Sequence, residues 1–158
     1  QKLTYFDQDR NEHYIPTCVE TSVGLDRLML AILCNAYDED EADTQKEGKD
    51  KDARLVLRLP AVLAPVQVAI LPLSKKLADQ AKPLQQQLLK NFRADYDDKG
   101  AIGRRYRRQD EIGTPFCVTF DFESLEDNAV TVRERDTMTQ ERIAIDKLQS
   151  YIFEKINA

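Results

Sequence analysis

Tryptophan is absent from this chain of 158 residues, histidine occurs once and cysteine three times. The thiols, Cys18, Cys34 and Cys117, are odd in number and far apart. They fit neither a disulfide framework nor a zinc-ligand spacing. Such usage points to a reducing compartment, the cytoplasm, with the thiols buried as small apolar groups. The lone His13 lies among polar residues with no second His or Cys pair beside it. It reads as a hydrogen-bonding loop residue, and no metal site is expected. Ser22 has no His partner near it in the sequence, so nucleophilic catalysis has no support. Long apolar runs are missing too. The longest, Leu59–Leu73, is interrupted by Pro60, Pro65, Gln67 and Pro72 and is too short to span a bilayer. The opening QKLTYFDQDRNEHY has no apolar h-region, so no signal peptide is expected.

Hydrophobic residues make up 42% of the chain and charged residues 32%, the balance of a soluble domain with a real core. The net charge of −5 is concentrated in DEDEADTQKEGKDKD, Asp38–Asp52, where eight acids oppose three lysines. The remainder therefore sums to zero, and an anionic partner elsewhere is not excluded. The segment carries no apolar side chain larger than Ala42 and cannot offset its ordering entropy, so it reads as an acidic flexible linker or insertion. It divides the chain into 1–37, 38–52 and 53–158.

In the first piece, Leu3, Tyr5 and Ile15–Val19 look like strand material. Leu25, Leu28, Met29, Ile32, Leu33 and Ala36 then recur at helical spacing. A piece of this length makes a poor independent core. The third piece alternates. Val66–Leu71 is a compact apolar strand. Leu77, Ala81, Leu84 and Leu88 follow a helical period, with Asp79 as cap and Pro83 in the first turn. Arg93–Tyr96 is a short strand, Asp97–Gly100 a turn and Ile102–Ile112 a helix ended by Gly113-Thr114-Pro115. Phe116–Phe122 and Asn128–Glu134 are strands, Arg142–Ile145 a further one, and Ile145, Leu148, Ile152 and Ile156 give a closing helix one apolar face. The expected class is α/β, a mixed, mostly parallel sheet of about five strands with about three helices, preceded by a strand–helix fragment.

Two stretches carry chemistry. In Glu20–Leu28 (ETSVGLDRL) a strand would present Glu20 and Ser22 on one face, Gly24 would leave the backbone bare, and a helix N-terminus with Arg27 in its first turn would favour an anion. An ordinary strand–helix junction with a surface Glu–Arg pair has the same spacing. The second stretch is basic, Arg104-Arg105-Tyr106-Arg107-Arg108, preceded by Lys99. With Ile102, Tyr106 and Ile112 inward, Arg104, Arg107 and Arg108 fan outward, able to neutralise phosphates. A solvated helical face gives the same pattern.

The first stretch resembles motif 3 of the class II aminoacyl-tRNA synthetases. IPTCVETSVGLDRLMLAILCNAY looks specifically like the dimeric, bacterial-type glycyl-tRNA synthetases. RLVLRLPAVLAPVQVAILPL, YDDKGAIGRRYRRQDEIGTPFCVTFD and LEDNAVTVRERDTMTQERI look like their anticodon-binding domain. The resemblance runs from about Leu3 to Leu148, departs at the acidic segment, and includes nothing like motifs 1 and 2. It implies that 1–37 ends a class II catalytic domain and that 53–158 is a class IIa anticodon-binding domain. Glu20 would bind the glycine ammonium, with Thr21, Ser22, Val23 and Gly24 around it, while Gly24, Leu25, Asp26 and Arg27 would contact ATP. It further implies Mg2+ with the ATP, tRNA(Gly) as partner and a homodimeric parent. Without motifs 1 and 2 the chain by itself is expected to be inactive, with no cofactor bound. Arg104, Arg107 and Arg108 become phosphate candidates. Arg133, Arg135 and Glu126 become candidates for reading anticodon bases, although Arg133–Asp136 could equally be a salt-bridged strand end. A non-enzymatic nucleic-acid-binding module of the same fold, like the accessory subunit of mitochondrial DNA polymerase, is the alternative. Intact Glu20, Ser22 and Arg27 favour the ligase.

Overall fold

The computed structural model describes residues 3–41 and 53–157. It divides into two compact units, 1–30 and 31–158. In the first, β1 (Tyr5–Asp7) and β2 (Glu12–Tyr14) form an antiparallel hairpin. Its turn is closed by Asp7 Oδ1, which accepts the amides of Asp9 and Arg10. His13 is a strand residue whose ring lies 4.8 Å from that of Phe6, not a loop hydrogen-bonder. The strand expected over Ile15–Val19 does not form. Residues 15–24 are irregular, because no described strand pairs with them and an isolated strand has no ladder to hold it. Helix α1 (Leu25–Ala36) follows as its spacing predicts. Leu28 N–H donates to the Gly24 carbonyl at 3.0 Å, and Asp26 in the first turn suits the helix dipole. Leu25, Leu28, Met29 and Leu33 face solvent. Cys18 and Cys34 are exposed as well, contrary to expectation, since neither meets an apolar layer; only Cys117 is buried.

The second unit opens with β3 (Tyr37–Glu41), antiparallel to β4 (Ala53–Leu57). The residues expected to begin a solvated linker, Asp38–Glu41, are therefore strand; residues 42–52 lie outside the described ones. The reason is charge pairing. Asp38 and Asp40 alternate onto one face, where Arg58 reaches both at 2.7 and 2.6 Å and Arg54 reaches Asp40 at 3.2 Å.

Then come β5 (Val68–Pro72), α2 (Ala78–Leu88), β6 (Ala94–Tyr96), α3 (Ile102–Glu111), β7 (Phe116–Phe120), the one-turn α4 (Ser124–Asp127), β8 (Ala129–Glu134), β9 (Gln140–Ala144) and α5 (Ile145–Asn157). The five strands stand in the order β6-β5-β7-β8-β9. β5 runs parallel to β6 and β7, while β8 is antiparallel to β7 and β9. The sheet is mixed as expected, with β8 alone running against the other four strands. Before α2, Ser74 caps a 3-10 turn at Lys75–Leu77. Asp79 thus sits inside α2 and not at its cap, and Pro83 falls in the second turn, where the Asp79 carbonyl loses an amide partner.

Alternation gives the sheet two unlike faces. Val68, Ile70, Phe116, Val118, Phe120, Val130 and Val132 pack with Leu77, Ala81, Leu84, Leu88, Leu148 and Ile152 of the α2 and α5 side, forming the main core. The opposite face packs a smaller apolar cluster, Ala69, Leu71 and Cys117 against Ile102 and Tyr106 of α3, and also buries Thr119 and Arg133. Burial there pushes the Cys117 thiol up to about 12.

Candidate nucleic-acid interface

The Glu20–Arg27 residues are not gathered into a pocket within the chain. Glu20, Thr21, Ser22, Val23 and Gly24 lie in the irregular run, Leu25, Asp26 and Arg27 open α1, and all are exposed. A Cβ at Gly24 would meet nothing within 4 Å, so no contact among the described residues requires glycine there.

The basic run sits on α3, whose inner face is polar. Arg105, Gln109 and Asp110 are buried, while Ile112, expected inward, is exposed. Gln109 Oε1 accepts the Thr114 hydroxyl at 2.6 Å and its amide donates to Asp95. The predicted cations divide by role. Arg104 is exposed and has no side-chain partner among the described residues. Arg107 donates to the Ala53 carbonyl at 3.0 Å and meets no carboxylate there. Arg108 is neutralised by Asp97, to which Nε donates at 3.0 Å, and it also donates to the Lys99 carbonyl. Lys99 is exposed at the N-terminal side of the helix. Three cations, Lys99, Arg104 and Arg107, thus have no carboxylate partner among the described residues.

Arg133 and Arg135, expected at an exposed strand edge, are both interior. Arg133, 7% exposed, donates both terminal nitrogens to the fully buried Asp110 at 2.9 and 3.1 Å. Its guanidinium lies 4.8 Å over the Tyr106 ring. Burial by itself would lower its pKa, but Asp110 outweighs that and raises it, so the cation persists. Arg135 donates to the Gly113 carbonyl and to both oxygens of Asp136. Asp110 also accepts from Arg54 Nε at 2.9 Å, and Arg54 donates to the Arg135 carbonyl. Guanidiniums so buried and so paired are held within the fold rather than extended to solvent.

What the sequence did not disclose is an open polar sheet face. Cys117 faces Arg133, Thr119 faces Thr131, and Thr131 faces Arg142 across the ladders. These residues share the α3 side, yet beyond Arg133 the described chain leaves it open: Thr131 is half-buried, Gln140 and Arg142 exposed. Helix α3 borders this face through Tyr106, whose hydroxyl bonds Thr119. Arg142 is held by Asp121 and Asp127, at 2.6 and 3.0 Å, and by the Thr131 hydroxyl. Glu126 is exposed on α4 at the margin. The period-two polar pattern of Thr131, Arg133 and Gln140, Arg142 was the available signal.

A mixed α/β domain with a basic helix beside an uncovered polar sheet face is suited to single-stranded nucleic acid. Residues 67–155 match the family model described as Anticodon binding domain, and the chain belongs to that family. Its relatives include the glycine–tRNA ligase of Agathobacter rectalis, 56% identical over 98% of this chain and 33% of that protein. Those of Corynebacterium glutamicum and Nocardia farcinica are 57% and 58% identical over 99% and 96% of this chain, and 34% and 32% of those proteins. The chain thus spans about a third of the length of the curated relatives it matches. Among solved structures, the RNA binding domain of threonyl-tRNA synthetase from Cryptosporidium parvum aligns with TM-score 0.58 and 26% identity, over 61% of this chain and 25% of that one. No helix of the described residues is long and apolar enough to cross a membrane.

Proposed function

We propose that this chain is the C-terminal part of a cytoplasmic glycine–tRNA ligase and that its second unit binds the anticodon arm of tRNA(Gly). The observation that carries the reading is a set of cations, Lys99, Arg104 and Arg107, that meet no carboxylate among the described residues, beside an open polar sheet face, on a domain of the Anticodon binding domain family. Phosphates would lie along α3. Bases would meet Thr131, Gln140 and the Glu126 margin, where planar edges can be read. Arg133 and Arg135 hold that face rigid from beneath.

Residues 1–37 would complete the glycine and ATP pocket of a catalytic domain lying mostly outside this chain, with Asp38–Asp52 joining the two parts. Glu20 would take the glycine ammonium, Thr21, Ser22, Val23 and Gly24 would leave no room for an amino-acid side chain, and Leu25, Asp26 and Arg27 would lie against the nucleotide. In the homodimeric parent, with ATP carried as its Mg2+ complex, the glycine carboxylate would attack the α-phosphate and expel pyrophosphate. The terminal ribose hydroxyl of the tRNA would then take the glycyl group and release AMP. Orientation and charge stabilisation supply most of such catalysis. By itself the chain should show no glycine-dependent pyrophosphate exchange.

The test is a titration of the chain with a glycine anticodon stem-loop at two salt concentrations. Arg104→Ala should weaken binding to this loop and to a scrambled loop alike, and reduce the salt dependence. Affinity that ignores salt, or that ignores Lys99→Ala and Arg104→Ala together, defeats the reading.

A further inference from the structure

Arg105 lies in the middle of the basic run yet is only 4% exposed, and the function proposed above makes no use of it. Its guanidinium meets no carboxylate among the described residues. Nε and one terminal nitrogen donate to the Gly100 carbonyl at 3.1 and 2.9 Å, and the other terminal nitrogen donates to the carbonyls of Pro72 at 2.5 Å and Asp97 at 3.3 Å. Three backbone segments meet on one side chain: the end of β5, the residue following β6, and the approach to α3. The 97–100 loop is also fastened from outside. Asp97 accepts the Lys99 amide at 2.9 Å and the Arg108 guanidinium, and Arg108 donates back to the Lys99 carbonyl at 2.7 Å. Gly100 turns the loop at φ +80°, a conformation an L side chain enters only with strain.

Burying a cation on neutral carbonyls is costly unless the whole fork is used. Arg105 uses it to fix a surface loop rather than to fill the core. That loop carries Lys99 and leads within a few residues to Arg104. We infer that Arg105 is a positioning residue for the phosphate-facing cations, setting the spacing of Lys99 and Arg104 from beneath the loop while touching no RNA itself. The inference rests on the anticodon-arm reading. It also assigns a division of labour within one run of arginines: Arg104 and Arg107 outward, Arg108 as outer clasp, Arg105 as inner pin. Lysine cannot substitute, because one ammonium cannot span the Pro72 and Gly100 carbonyls with the geometry of a planar fork.

The experiment compares the full chain with its Arg105→Lys and Arg105→Met variants. Binding of a glycine anticodon stem-loop and a scrambled loop is titrated between 50 and 200 mM salt, and hydrogen exchange is followed in parallel. Both variants should exchange the 97–100 amides at least about tenfold faster, with the β7 amides unchanged. Both should lower the salt slope by about 1, so that the affinity loss across this fourfold rise in salt shrinks about fourfold. Preference between the two loops should not move. A role confined to stability would lower the slope for neither loop, and an unchanged slope with unchanged exchange overturns the proposal. If the Arg105 variants do not fold, Gly100→Ala decides. A Cβ there meets nothing within 4 Å, so it strains only the loop, and it must reproduce the slope reduction or the proposal fails. A parent chain with no salt-dependent affinity defeats the anticodon-arm reading instead, and the exchange data then judge the pinning separately.

Discussion

Asp110→Asn is the perturbation that isolates the buried charge cluster of the sheet domain. Asp110 is fully buried and takes three charge-assisted hydrogen bonds, one from Arg54, itself 1% exposed, and two from Arg133. Asparagine has nearly the same shape but offers one acceptor oxygen and no charge, leaving two guanidiniums facing each other in the interior. Removing one partner of a buried pair costs about 3–5 kcal/mol, chiefly the penalty of stranding the other charge. Against a total stability of about 5–15 kcal/mol, that is a large fraction. For a unit of this size it should lower Tm by roughly 10–15 °C.

Urea and thermal unfolding of the full chain, followed by circular dichroism, would measure the effect. Arg58→Ala is the control: Arg58 binds Asp38, Asp40 and Asp136, but its side chain is 30% exposed and these partners are 26–48% exposed, so the loss should stay near 1 kcal/mol. Added salt should screen the Arg58 pairs and hardly alter the Asp110 deficit. The triple change Arg54→Met, Asp110→Leu, Arg133→Met should recover most of the loss, because well-packed apolar replacements of a buried ion cluster are often neutral or better. An Asp110→Asn loss under about 1 kcal/mol would refute the view that this cluster couples the β3–β4 hairpin to the sheet.

Three further outcomes follow from individual residues. Gly113 has φ +82°, and an added Cβ would sit 2.8 Å from the Leu57 carbonyl; Gly113→Ala should therefore cost at least about 2 kcal/mol in urea midpoint analysis. Burial holds the Cys117 thiol near 12, so at pH 8 a thiol reagent should modify Cys18 and Cys34 in the native chain and Cys117 only after denaturation. Burial by itself would raise the Asp121 carboxyl, but Arg142 and Ser124 hold it below its ordinary value of 3.8. A lowered carboxyl stabilises the fold above its unfolded value and loses that contribution as pH falls through the folded one, so stability should be level from pH 7 to 5 and decline below about pH 4, less steeply in Arg142→Ala.

The apolar periodicities were legible because burial enforces them. VQVAIL and FCVTF became β5 and β7, and Leu148 and Ile152 became the buried stripe of α5. Besides β2, read as polar loop, two strands escaped notice. β3 is a run of acids and β4 a single short alternation, and what stabilises them is a charge pattern completed by Arg54 and Arg58. Sequence arguments weigh apolar burial against entropy, and they undervalue a strand whose buried partners are guanidiniums. α3 shows the same limit from the other side. Its inner face carries Arg105, Gln109 and Asp110, while Ile112 is outside, so an apolar-inward rule rotates the helix incorrectly.

Arg133 and Arg135 illustrate why a basic motif does not disclose its own role. Arg133 near the end of β8 and Arg135 just beyond it alternate as base-reading residues would, and nothing local separates that pattern from a structural one. The deciding residue is Asp110, more than twenty positions away on α3, which pairs Arg133 and holds it in the interior. By contrast, Arg104 and Arg107 meet no carboxylate among the described residues. Whether an arginine is available to RNA is therefore set by where the carboxylates fall once the chain has folded. In this domain they fall beneath β8 and beside Arg108, which leaves the outer edge of α3 as the cationic surface.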